Sequence, residues 1–202
     1  MPEQILIATA NAGKRREILA VMADAPVQWL TLGDLPAMPE AVEDGDTFEA
    51  NARKKALHFA ELSGLWTLAD DSGLVVDALG GAPGVHSARF SEAGGDVANN
   101  RKLIAELAGV PAERRSARFV CCVVLASPGA VLATASGTIE GRIVDEPRGS
   151  NGFGYDPHFW IPELERTSAE LPPEHKNRIS HRGQALRNLA PGLRRLLGGA
   201  SA

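Results

Sequence analysis

Asp70 and Asp71 stand side by side after the apolar run Thr67, Leu68, Ala69 and before Ser72 and Gly73. In an extended segment neighbouring side chains point to opposite faces, so only one of the two carboxylates faces a given cleft. Carboxylate oxygens suit magnesium, which keeps several waters and takes one or two protein carboxylates together with phosphate oxygens. Turn-forming or helix-capping aspartates are the structural alternative. Upstream, Thr9 to Lys14 reads Thr, Ala, Asn, Ala, Gly, Lys at a strand-to-helix junction. Free backbone N–H groups and the helix dipole favour a bound phosphate at such a junction. The stretch is not a P-loop, because that motif needs glycine where Ala8 stands and a hydroxyl where Arg15 stands.

Two further groups carry charge or aromatic surface. Glu40, Glu43, Asp44 and Asp46 cluster in one loop, ordinarily a solvated surface, although one of them could complete a metal site. Lys54 and Lys55 follow on the next helix, where solvated lysines on a polar face are the common case. Later, Phe153, Gly154, Tyr155, Asp156 and Pro157 combine aromatics, glycine and a carboxylate. A base could stack there while the acid accepts hydrogen bonds, or the turn could simply bury its aromatics. Lys176, His181 and Arg182 lie near a helix start capped by Ser180, where cations oppose the dipole and an anion or carbonyl would compensate them.

The elements that must position these residues follow from the hydrophobic pattern. Ile5 to Ala8 reads as a strand leading into a helix over Lys14 to Ala23, with Ile18, Leu19 and Met22 at helical spacing. Val27 to Leu32 reads as a parallel neighbour reached by a crossover. Asp46, Thr47, Phe48 and Glu49 have the form of a capping box, starting a helix that buries Phe48, Ala52, Ala56, Phe59 and Ala60. Thr67 to Ala69 forms a strand with the two aspartates at its end, and Gly80 to Gly84 is a turn. Asp96 to Leu107 is a helix; Ser116 to Ala126 and Val131 to Ile139 form a hairpin about Ser127 to Ala130. Phe159 to Ile161 is extended, and a helix from about Ser180 to Leu197 should bend at Pro191. Strands mixed with helices and one long hairpin indicate an α/β protein with a mixed sheet, in one folding domain over residues 1–202.

Composition sets the limits. A net charge of -4 argues against a general grip on nucleic acid or anionic membrane. No run approaches about 20 uninterrupted apolar residues, and the opening residues do not read as a signal peptide, so a cytoplasmic protein is expected. Cys121 and Cys122 are adjacent in an apolar run and read as buried free thiols, and no zinc-site spacing occurs.

Taken jointly, the motifs resemble the inosine triphosphate pyrophosphatase family, also called dITP/XTP or noncanonical purine NTP pyrophosphatases. The likeness covers Ala8 to Lys14, Thr47 to Ala52, Ala69 to Gly73, Gly80 to Phe90, Gly152 to Pro157 and Ser180 to Ala185. Asp-Asp-Ser-Gly, Gly-Gly-Ala-Pro-Gly, Gly-Phe-Gly-Tyr-Asp-Pro and Ser-His-Arg-Gly in this order are highly specific. Ala10 stands where the family often has glycine, and His86 where tyrosine is common. The resemblance implies an elongated mixed β-sheet flanked by helices, two lobes with a central substrate cleft, a homodimer and bound magnesium. It implies hydrolysis of ITP, dITP and XTP at the α-β anhydride to monophosphate and pyrophosphate, clearing them from the nucleotide pool.

By the same matching, Thr9, Asn11, Gly13 and Lys14 would hold phosphates, with Lys55 a second cation toward them. Glu43 and Asp71 would bind the metal, Asp71 would also accept the catalytic proton, and Ser72 would touch substrate. Phe153, Gly154, Tyr155 and Asp156 would wall the base pocket, Lys176 would support the nucleotide, and His181 with Arg182 would face the purine edge. A carbonyl at purine position 6 suits Arg182, whereas adenine offers a donor that a cation cannot satisfy. The alternatives are a Maf-like pyrophosphatase, a nucleotide-binding regulator without hydrolysis, and a nucleic-acid binder using Lys14 to Arg16, Arg114 to Arg118 and Arg194 to Arg195. The motifs at 153–156 and 180–183 oppose the first, retention of Glu43 and Asp71 the second, and overall acidity the third.

Overall fold

In the computed structural model, which describes residues 4–198, the opening apolar run is strand β1 (Gln4–Ile7). Asn11 ends it by capping helix α1 (Ala12–Val21), its side chain accepting the N–H of Lys14. Strand β2 (Gln28–Thr31) then returns beside β1 in parallel, the crossover that the short spacing required. Helix α2 (Phe48–Ser63) begins one residue later than its sequence signature suggests, because Thr47 rather than Asp46 accepts a first-turn N–H, that of Ala50. It ends at Gly64, whose φ of 69° suits a residue without Cβ. Its buried side chains include Ala52, Ala56, Phe59 and Ala60 as expected, together with Asn51.

Strand β3 (Trp66–Val76) departs most from expectation. It does not stop at Ala69 but continues through Asp70 and Asp71 to Leu74 and Val76, both fully buried. An acidic pair is a poor strand former, but here each carboxylate finds partners supplied by other elements. The remaining elements are helix α3 (Asp96–Glu106), strands β4 (Ser116–Ser127), β5 (Ala130–Ile143), β6 (Phe159–Ile161) and β7 (Arg166–Thr167), and helices α4 (Pro173–Ile179) and α5 (His181–Gly198). Pro128 and Gly129 alone join β4 to β5, with Gly129 at φ 77° in the turn. Helix α4 carried no strong sequence signal, and α5 continues through Pro191.

The sheet has seven strands in the order β2-β1-β3-β4-β5-β6-β7, with β1 parallel to both neighbours and β5-β6 and β6-β7 antiparallel. The chain forms two compact units. The first comprises 1–71, 121–137 and 181–202, of which 4–198 bounds the described part; the second comprises 72–120 and 138–180.

Within the first unit the sheet is covered on both faces, and the period-two rule sorts its residues. Ile5, Ile7, Leu68, Cys121, Val123 and Leu125 pack with Ile18 of α1 and with Leu186, Leu189 and Leu193 of α5. The alternate residues Leu6, Ala8, Ala69, Cys122, Val124 and Ala126 pack on Ala52, Ala56, Phe59 and Ala60 of α2. Continuing the alternation, Asp70 belongs to the α1/α5 face and Asp71 to the α2 face. In the second unit Leu74, Val76, Leu103, Phe119, Ile143, Tyr155 and Phe159 form a separate core.

Candidate active site

The two aspartates lie just beyond the end of β1. The last registered pair of that ladder is Ile7 with Leu68, after which the β1 chain turns through Thr9 into α1. Carboxyl ends of parallel strands are where ligands of open α/β sheets bind, since the chain there splays into loops and helix starts.

On the α1/α5 face Asp70 is 1% exposed, yet it is the centre of a cation cluster. Lys14 Nζ sits 3.2 Å from Asp70 Oδ2, and Arg182 donates to the same oxygen from Nε at 3.2 Å and from its Nη2 at 3.1 Å. Arg182 also donates to Glu17 on α1. Burial opposes ionisation of Asp70 most strongly, but Lys14, Arg182 and Lys55 together overcome it and hold its carboxyl far below the ordinary range. Asp70 is therefore a fixed anion whose charge orients cations.

On the α2 face the balance is reversed. Burial raises the proton affinity of Asp71, Lys14 and Lys55 counter it, Asn51 donates a hydrogen bond at 3.1 Å, and the negative charge of Glu43 pushes upward again; the result lies above the usual carboxylate value. Lys55 bridges the neighbourhood, with its Nζ 2.8 Å from Glu43 Oε2 and donating to the backbone carbonyl of Asp70 at 3.2 Å. Lys54, its sequence neighbour, pairs with Asp44 in solvent, so helical phase separates the lysine that faces Glu43 and Asp70 from the solvated one. Of the acidic loop, Glu43 is half-buried while Glu40, Asp44 and Asp46 are exposed.

A cavity of 340 Å³ opens in this unit, lined by Thr9, Glu40, Glu43 and Lys55 among the apolar Leu32, Met38 and Phe59. That is a size at which small-molecule sites begin. Thr9 and Asn11 turn their oxygens onto their own loop: Thr9 Oγ1 accepts the Asn11 N–H at 3.2 Å, and Asn11 Oδ1 the Lys14 N–H at 3.0 Å. The loop is thus preformed, with the positive end of α1 free of acidic residues in its first turn. Gly13 is buried there.

Among the described residues no three His, Cys, Asp or Glu side chains gather as ligands. Magnesium needs fewer, and the donors fit it: Glu43 and Asp71 are hard oxygen donors whose mutual repulsion a divalent cation would relieve. Ser72 follows Asp71 in β3 and is half-buried.

The second unit organises the 153–156 loop around another buried ion pair. Asp156 is 2% exposed and Lys176, on α4, 5% exposed; Lys176 donates to Asp156 Oδ2, which also accepts the Phe153 N–H at 2.9 Å. Lys176 Nζ also lies 4.8 Å from the centre of the Phe153 ring. A side chain at Gly152 would sit 2.0 Å from Asp156 Oδ2, at a φ of 76°, so glycine is required at that point of the turn. Tyr155 is a core residue, its hydroxyl donating to the Ser87 carbonyl at 2.8 Å, while Phe153 stays half-buried. Tyr155 is thus packed inward, as a turn burying its aromatics requires, while Phe153 is half-buried beneath Lys176.

His181 and Arg182 occupy the first turn of α5 and are 6% and 1% exposed. The structure therefore joins Lys14, Asp70 and Arg182 in one cluster and Glu43, Lys55, Asn51 and Asp71 around another. Sequence reasoning missed Glu17 and Asn51. A signal existed for each: Glu17 is one helical turn from Lys14, and Asn51 is a polar residue on the apolar stripe of Phe48, Ala52 and Ala56.

A mixed α/β sheet with lysines and carboxylates at the carboxyl end of its parallel strands defines the class, and the chain belongs to the Ham1 family, which it matches over residues 5–192. It is 55% identical over 184 residues to the dITP/XTP pyrophosphatase of Geobacter sulfurreducens, an alignment covering 91% of this chain and 92% of that relative. With the dITP/XTP pyrophosphatase of Desulforamulus reducens it shares 50% identity over 194 residues, 96% of each chain. Its structure is similar to that of a HAM1 protein from Coxiella burnetii, with a TM-score of 0.86 and 40% identity over 99% of this chain and 100% of the other. A nucleoside-triphosphatase / dITP/XTP pyrophosphatase from Mycobacterium abscessus superposes with a TM-score of 0.75 at 45% identity, covering 93% of this chain and 99% of the other.

Proposed function

We propose that the chain hydrolyses the deaminated purine nucleoside triphosphates ITP, dITP and XTP to monophosphate and pyrophosphate, in the cytoplasm, as a magnesium-dependent homodimer. The names of its Ham1 relatives support the substrate class. The observation that carries the chemistry is the division of labour between adjacent carboxylates. Asp70 is neutralised by Lys14, Arg182 and Lys55, while Asp71 on the opposite face keeps a raised proton affinity beside Glu43.

In this reading Thr9, Asn11, Gly13 and Lys14 bind phosphate oxygens at the α1 terminus, and Lys55 adds a second positive charge. Glu43 and Asp71 would hold magnesium, whose chemistry there is to withdraw charge from the phosphate oxygens. Asp71 takes a proton from water as its oxygen bonds to the α-phosphorus, and the bond from that phosphorus to the bridging oxygen breaks. Lys14 and Lys55 stabilise the charge that builds on departing pyrophosphate. Ser72 contacts substrate. Phe153, Gly154, Tyr155, Asp156 and Lys176 serve the purine, with the exposed part of Phe153 as the stacking surface. His181 and Arg182 read the oxygen at purine position 6; Asp70 and Glu17 hold the guanidinium in a fixed direction.

The test is product identity. With magnesium, ITP should give inosine monophosphate and pyrophosphate in equal amounts, and EDTA should stop the reaction. Inosine diphosphate with orthophosphate would overturn the proposal, as would undiminished turnover in EDTA.

A further inference from the structure

Asn51 is the one polar side chain on the buried stripe of α2, 1% exposed, and both ends of its carboxamide are engaged at the site. Its Oδ1 accepts the Gly45 N–H at 2.8 Å, while its Nδ2 donates to the Gly45 carbonyl at 3.2 Å and to Asp71 Oδ2 at 3.1 Å. One carboxamide thereby reads both polar groups of a loop residue and one carboxylate of a neighbouring strand. Glu43 lies two residues before Gly45 in the same loop. We propose that Asn51 is a positioning residue for the divalent-cation site, its carboxamide tying the Glu43-bearing loop to the carboxylate of Asp71.

The geometry explains why aspartate or leucine would not serve. A buried amide with a single partner would merely be satisfied, whereas this one uses both donors and its oxygen on groups from two separate segments. Aspartate at 51 would lose both donors and set a like charge against Asp71, and leucine would leave the Gly45 backbone and Asp71 without these bonds in a buried place. Glycine at 45 belongs to the same device. A Cβ there would stand 2.8 Å from Asn51 Oδ1 and 2.9 Å from the Ala50 Cβ, so the loop approaches α2 more closely than a side chain permits. Outer partners that orient metal-binding carboxylates typically change affinity or activity 10- to 100-fold when removed.

The inference rests on the proposed magnesium-dependent activity, and its test separates the two. Wild-type protein, Asn51→Ala and Gly45→Ala are titrated with manganese alone, a spin-active stand-in for magnesium, and binding is read by loss of the free-ion resonance. In parallel, kcat and KM for ITP are measured at saturating magnesium, and pyrophosphate is tested as a competitive inhibitor. Both variants should bind manganese at least about tenfold more weakly and lose kcat. Their KM and pyrophosphate inhibition should stay near wild type, because Thr9 and Lys14 are untouched. Gly45→Ala keeps the Asn51 side chain and all proposed ligands, so it carries the test should Asn51→Ala fail to fold. Wild-type manganese affinity in a folded variant overturns the role of Asn51. Absence of manganese binding and pyrophosphate release in the wild type instead overturns the function itself, and the positioning role with it.

Discussion

Asp70 and Asp71 differ by one position and by everything around them. Replacing Asp71 with asparagine removes the proposed proton acceptor while nearly preserving shape. Turnover of ITP should fall at least about a hundredfold with binding retained, as steady-state rates and calorimetry would show. Asp70→Asn should act on stability as well as on the direction of Arg182. It leaves Arg182 and Lys14 without a buried anion, a loss on the order of 3–5 kcal/mol measurable by urea denaturation. The pH dependence has the same origin. Because Asp70 is held below its unfolded value, its contribution is present above about pH 4 and is lost as pH falls below that toward its folded value. Melting temperature should therefore drop on the acid side in the wild type and less steeply in Asp70→Asn.

At the scale of elements, packing at two points decides where the site residues sit. Gly137 of β5 faces the first turn of α5, and an added Cβ would lie 2.3 Å from the His181 carbonyl oxygen and 2.6 Å from the Ala185 nitrogen. Both contacts are backbone and cannot swing away, so Gly137→Ala should destabilise by about 1–3 kcal/mol or more and displace Arg182, lowering activity beyond the loss of stability. Thr47→Ala removes one cap from α2 and should cost about 1 kcal/mol in denaturation, with little change in kcat. Strands β1, β2, β4, β5 and β6, the hairpin and helices α1, α2, α3 and α5 were legible because their apolar spacing is strong. The course of β3 was not, because Asp-Asp looks like a strand's end until its partners are known, and those partners come from Lys14, Lys55 and Arg182, distant in sequence. Asn51 was marked only as a polar residue on an apolar stripe; its partners, the backbone of Gly45 in a loop and Asp71 in a strand, are not encoded by any residue spacing.

For the molecule as a whole, sequence composition marked no boundary, and the structure explains why. The chain passes between its two compact units after Asp71, Val120, Gly137 and Ser180, and the first three crossings fall inside β3, β4 and β5. A linker rich in proline or glycine has no place in the middle of a strand, so the expected single domain and the observed pair of units share one uninterrupted pattern. The motif likeness was legible because each motif is a contiguous segment, and the Ham1 match over residues 5–192 extends it to nearly the full chain. With a net charge of -4, the protein should show no salt-steepened affinity for DNA or RNA, a filter-binding result that would separate its local lysines from a nucleic-acid surface.

The central claim is that water attacks the α-phosphorus. Hydrolysis of ITP in heavy-oxygen water, followed by mass spectrometry of both products, tests it most directly. The account predicts one labelled oxygen in inosine monophosphate and none in pyrophosphate; label in pyrophosphate, with an unlabelled monophosphate, would contradict it.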